Sequence, residues 1–148
     1  MGKKYLFRKM KTLKYILLTT LLAITASTAE AKHVVLPHVY MFGFAASFTD
    51  STLYLTDIQD VENVWYDTKE DALMARDNYS SQLKQYMTDN LGQPNRVCLV
   101  IFATTKKKAE KKYQKLKKKY MSRDGIIHGM KYLTSSDFKF TAVDMSND

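Results

Sequence analysis

Val97-Cys98-Leu99-Val100-Ile101-Phe102-Ala103 is apolar at every position. A strand with one wet face alternates apolar and polar residues, so this unbroken run predicts a strand buried on both faces inside a sheet. Helical signals flank it. Upstream, Tyr79, Leu83, Tyr86 and Met87 recur at helical spacing. They predict a helix over about residues 78–90, with Asp77 as N-cap, Gly92 as a left-handed stop and Pro94 barring resumption. Downstream, Ala109, Tyr113, Leu116 and Tyr120 fall at spacings of four, three and four. That narrow stripe predicts a second helix from a Thr105 cap to about Met121, closing near Gly125.

Further out, residues 39–48 alternate Tyr40, Phe42, Phe44 and Phe48 against Val39, Met41, Gly43, Ala45 and Ser47, the pattern of a strand. Thr49-Asp50-Ser51 has turn chemistry, and residues 52–58 return as a second strand, giving a hairpin that residues 61–66 extend past a bend. Residues 126–136 read as irregular or as holding one short element, and 138–143 as the last strand. The order β-β-α-β-α-β predicts an α+β, two-layer sandwich: a mixed four- to five-stranded sheet with both helices on one face. The other apolar side of residues 97–103 then needs cover, from the segment 125–136 or from the partner in a homodimer.

Residues 1–31 read as a cleaved secretory signal peptide. Six basic residues precede the apolar run of residues 15–24, and Ala29-Glu30-Ala31 offers small residues at the two positions a signal peptidase reads. The apolar run has ten residues, against about 20 for a bilayer span. With no cysteine at the cleavage point, no lipid anchor follows. The expected product is a single α+β domain, residues 32–148, secreted or periplasmic, with no transmembrane span after cleavage. One cysteine, Cys98, excludes an internal disulfide.

Six of the 23 basic and one of the 15 acidic residues lie in 1–31, so residues 32–148 hold 17 and 14, net +3. Global basicity therefore argues for no nucleic-acid partner. The remaining positive charge is concentrated: residues 106–123 carry ten bases and one acid. Lys107, Lys108, Lys111, Lys112, Lys115, Lys118 and Lys119 form a candidate anion-binding face, and several repel one another at i,i+4 spacing. The plain alternative is a solvated face on a good helix former. Tyr113 and Tyr120 belong to the buried stripe, which removes them as stacking platforms for bases. For an exported chain the anion would be lipid phosphate or acidic polysaccharide.

No cofactor or metal is expected: His33, His38 and His128 lack the spacing that builds a ligand set. Cys98, inside the apolar run, reads as a small hydrophobe. Polar groups gather instead at Asp50, at Asp57, and at Arg76, Asp77, Asn78 and Ser80. The helix start beside Arg76 could hold an anion, against a plain capping role.

Ser47-Phe48-Thr49-Asp50-Ser51, Thr56-Asp57-Ile58-Gln59, Arg76-Asp77-Asn78-Tyr79-Ser80, Gly92-Gln93-Pro94-Asn95-Arg96-Val97-Cys98 and Ala109-Glu110-Lys111-Lys112-Tyr113 resemble a family of small secreted bacterial proteins of unassigned function. The resemblance implies export and a compact α+β domain, and transfers no catalytic residue. The expectation is a non-catalytic secreted or envelope domain with a binding or assembly role. The alternative is a small envelope hydrolase using Asp, Ser and Thr groups near the hairpin turn and residues 76–80.

Overall fold

The structure is a computed structural model that describes residues 32–121 and 129–147. The signal-peptide reading of 1–31, Gly125 and His128 lie outside those residues. Among the described residues the protein is an α+β sandwich with a mixed six-stranded sheet and two helices. The strands are β1 (His33–Ala46), β2 (Thr52–Thr56), β3 (Gln59–Asp67), β4 (Ala72–Leu73), β5 (Val97–Ala103) and β6 (Gly129–Leu133). The helices are α1 (Arg76–Asp89) and α2 (Lys106–Met121).

β1 organises the sheet. Its first half pairs antiparallel with β3 and its second half with β2 across the expected hairpin turn. On its other edge Phe44 and Ala45, already paired with Leu55 and Tyr54, also pair with Leu99 and Cys98 of β5. β6 runs parallel to β2, and β4 pairs with β3. β5 is thus an edge strand, pairing with β1 alone among the described residues. Val97 and Leu99 are 45% and 44% exposed, while Val100 and Ala103 are buried. This corrects the expectation of an interior strand. Seven apolar residues in a row predict two covered faces, which fails at the Val97 and Leu99 end, and say nothing about which edges are paired.

The two helices also divide between the faces of the sheet. Tyr79, Leu83 and Met87 of α1 share a core with Val39, Met41, Ala45 and Val100. From α2, Tyr113 meets the Phe42 ring edge-on, centroids 5.0 Å apart, and Tyr120 packs on Phe44 at 6.3 Å. Successive β1 residues point to opposite faces, so α1 and α2 lie on opposite sides of β1. This corrects the placement of both on one face. The uncovered face that motivated a dimer is the one α2 occupies.

Residues 129–133 form β6, the one short element allowed between 126 and 136. A further boundary differs from expectation: residues 138–143 form no strand. They run across the α1 face, where Phe138 and Phe140 pack on each other and against Tyr86 and Tyr79. Gln59, 4% exposed, fixes this segment: its amide N–H donates to the Phe138 carbonyl at 2.8 Å, and its oxygen accepts from the Phe140 N–H at 2.8 Å.

Gly43 lies where this packing is tightest. A methyl group on its Cα would sit 2.6 Å from Leu83 Cδ2 and 3.1 Å from the Phe140 ring. Gly43→Ala is therefore expected to destabilise the fold by about 1–3 kcal/mol through overpacking, measured by urea unfolding. A variant as stable as the parent would show that Leu83 moves aside at no cost.

Candidate functional site

The expected groups near the hairpin turn and the first helix serve separate local structures. At the β1–β2 turn, Asp50 accepts the Thr52 N–H at 2.8 Å and one N–H of the Arg96 guanidinium at 2.7 Å. The Thr52 amide, and then Arg96, hold its carboxyl below the usual carboxylate range. Arg96 is 5% exposed; it also donates to the Thr52 carbonyl at 2.8 Å and the Gln93 side chain at 3.1 Å, and lies 4.7 Å from the Tyr54 ring centroid. All of these bonds are structural.

Asp57, at the β2–β3 bend, accepts the Ser135 N–H at 3.0 Å and so ties the chain after β6 to the hairpin. Arg76 spends two N–H groups on the Val100 carbonyl, at 3.0 and 2.7 Å. Asp77 is not the N-cap. The helix begins at Arg76, the cap position is Ala75 in the left-handed region, and no side chain caps it. Asp77 sits one residue into the first turn, where a carboxylate still favours the helix dipole. Asn78 is exposed, its N–H donating to the Ala75 carbonyl at 2.9 Å.

Asp77 and Ser80 line an open groove beside the outer end of β5, together with Lys84, Arg96 and Cys98. Burial pushes the Cys98 thiol up, the opposite of what a nucleophile needs. A second open groove runs past Leu36, Tyr40, Tyr66 and Lys106. In it the Tyr66 hydroxyl donates to Asp71, and burial together with that bond pushes its pKa up to about 12. Among the described residues, no three His, Cys, Asp or Glu groups converge.

The lysine helix is the most polarised surface. Ala109 is buried and Tyr113, Leu116 and Tyr120 are half-buried, so the stripe read from spacing is the face that packs on the sheet. At 3.6 residues per turn, Lys107, Lys111, Lys115 and Lys118 fall within about 80° of one another on the opposite side. All four are exposed. Lys108 and Lys119 flank them, also exposed, with Lys119 Nζ 5.6 Å from the Tyr120 ring centroid. Thr105 accepts the Lys108 N–H at 3.3 Å, the expected cap.

Lys112 belongs elsewhere: its ammonium donates to the Phe102 carbonyl at 2.8 Å. Lys117 leans toward β6, 5.0 Å from the Tyr132 ring centroid. The helix holds nine lysines and one acid, net +8. Among the described residues none of these lysines has a carboxylate within 4.0 Å; the ion pairs there are His33–Asp67, His38–Asp60 and Arg96–Asp50. No described helix is long and apolar enough to cross a membrane.

The sequence reading missed the roles of two residues. Arg96, read with Asn95 as an ordinary polar turn group after the first helix, is the buried clamp of the β1–β2 turn; its position directly before the apolar run of β5 was the available signal. Phe48, read as part of the first strand, lies beyond it and is 96% exposed. The turn chemistry of Ser47 and Thr49 around it marked that the strand had already ended. The chain matches no protein-family model, no curated protein and no solved structure.

Proposed function

We propose that the chain is an exported, non-catalytic binding domain of the cell envelope, and that the outward lysine face of α2 holds its anionic partner, lipid phosphate or acidic polysaccharide. The observation that carries the reading is the absence, among the described residues, of any carboxylate paired with that face. Like charges at i,i+4 spacing oppose the helix by about 0.2–0.5 kcal/mol each. An anionic surface turns the same charges into an attraction. Export is supported by the order of charge, apolar run and small residues in 1–31. A binding role rather than a reaction is supported by Asp50, Asp57 and Arg76, each engaged in a bond that holds a turn or strand.

The test replaces Lys107, Lys111, Lys115 and Lys118 by Gln together. Parent and variant are compared as full chains on phosphatidylcholine vesicles with and without phosphatidylglycerol, and on immobilised polygalacturonate. Each lysine near an anionic bilayer contributes about 1 kcal/mol at low salt, so the parent should bind one of the anionic surfaces about 100- to 1,000-fold more tightly. Thermal stability should hold or rise, because the repulsive pairs Lys107/Lys111 and Lys111/Lys115 are gone. Equal binding by the two chains would sink the reading and leave the helix as a solvated face.

A further inference from the structure

We propose that the β1–β2 turn and the adjacent end of β5 dip into an anionic lipid bilayer, Phe48, Val97 and Leu99 entering the acyl boundary while Lys118 and Lys119, at the C-terminal end of α2, meet headgroup phosphates. This rests on the lysine-face reading and narrows its partner from an anion to a membrane surface. Phe48, Val97 and Leu99 are 96%, 45% and 44% exposed. Cross-strand pairing of Leu99 with Phe44 and of Val97 with Ala46 puts both β5 side chains on the face of the sheet that α2 covers. Tyr120 packs on Phe44, so the C-terminal end of α2 stands level with Leu99, and Lys119 beside Tyr120 stands there too. Phe48 follows two residues after the end of β1. Apolar side chains and lysines thus meet at one end of the molecule, the combination that seats a protein in the interface of an anionic bilayer.

The turn that carries Phe48 is already ordered. The Thr49 N–H donates to Ser47 Oγ at 3.1 Å, and Asp50 is held by Thr52 and Arg96. Insertion therefore costs little further ordering of the backbone. Its one carboxylate, Asp50, is paired with Arg96, which reduces its repulsion from lipid phosphate. An acidic polysaccharide would satisfy the lysines and leave the three apolar side chains in water. A bilayer satisfies both.

The test moves the chain's single tryptophan. Phe48→Trp in a Trp65→Phe background gives a full-length chain whose only indole is at position 48. It is titrated with phosphatidylcholine/phosphatidylglycerol vesicles with and without brominated acyl chains. The expected result is a blue-shifted emission that brominated lipid quenches. In the otherwise unchanged chain, Phe48→Ser should weaken vesicle binding by about tenfold or more. It should leave the melting curve in place, since Phe48 packs on nothing. An unshifted, unquenched indole in a chain that still sediments with the vesicles would overturn the insertion and leave the lysine-face reading standing. Quenched emission combined with equal binding by the four-lysine variant would keep the insertion and sink the lysine face. Binding to polygalacturonate alone, or lipid-independent dimers abolished by Phe48→Ser, would overturn the membrane proposal.

Discussion

Gln59→Leu is expected to destabilise the fold by about 2–5 kcal/mol, because one buried side chain ties the C-terminal segment to the sheet and a similar-sized apolar residue cannot. The Gln59 amide donates to the Phe138 carbonyl and accepts from the Phe140 N–H, both at 2.8 Å. Leucine would fill the space and leave both backbone groups unpaired among aromatic rings. Each buried group left without a partner costs about 1–3 kcal/mol. The loss is a large share of the roughly 5–15 kcal/mol that holds an ordinary domain folded. Phe138 and Phe140 are buried against Tyr86 and Tyr79, so release of the segment would also uncover the α1 side of the core. Urea unfolding reads the cost, and amide exchange at Phe140 should accelerate. A loss under about 0.5 kcal/mol would show that the segment is held by its rings alone.

Arg96→Met should cost about 2–4 kcal/mol, by the loss of charged hydrogen bonds and of a stacked cation from a buried position. The substitution keeps much of the side-chain volume over Tyr54 and removes the bonds to Asp50, Thr52 and Gln93. Asp50→Asn is the contrasting variant and should be milder, because an amide oxygen can still accept from Thr52 and Arg96 although the buried guanidinium loses its counter-charge. A low-pH measurement separates the two effects. A depressed carboxyl pKa contributes stability that is present above the ordinary value near 3.8 and is lost as pH falls through the folded value. In Arg96→Met the Asp50 carboxyl should stay depressed, since the Thr52 amide is the larger cause. An Asp50 carboxyl returned fully to its ordinary range would show that Arg96 positions the turn as well as pairing with it.

The periodic elements were legible because each leaves a mark in one stretch of chain. The α2 stripe of Ala109, Tyr113, Leu116 and Tyr120 and the alternation along β1 are local facts, and the structure uses both as read. The sheet edge that β5 occupies is a long-range fact: Val97–Ala103 would read the same at the edge as in the middle. The division of the helices is equally non-local, because it depends on which of two apolar faces of β1 each stripe meets. Residues 138–143 misled for another reason. Phe138 and Phe140 alternate as in a strand, yet Gln59 takes up the Phe138 carbonyl and Phe140 N–H that a ladder would have used. For the candidate surfaces, the lysine helix announces itself in sequence. The exposure of Phe48 was overridden by Phe42 and Phe44, which suggested one continuous face, although the turn residues Ser47 and Thr49 beside it marked the strand's end.

The outer edge of β5 carries a last consequence. An unpaired strand edge invites another chain to add a strand, the first step of fibril growth, and proteins that last have to blunt such edges. Here the Val100 carbonyl already holds two N–H groups of Arg76, and the Phe102 carbonyl holds the ammonium of Lys112. Carbonyls two residues apart face the same edge, so two neighbouring docking points on it are occupied by cations on flexible stems. An incoming strand would have to displace both charges before making its first two bonds. Arg76, the first residue of α1, and Lys112, midway along α2, thus act together as a guard against templated aggregation.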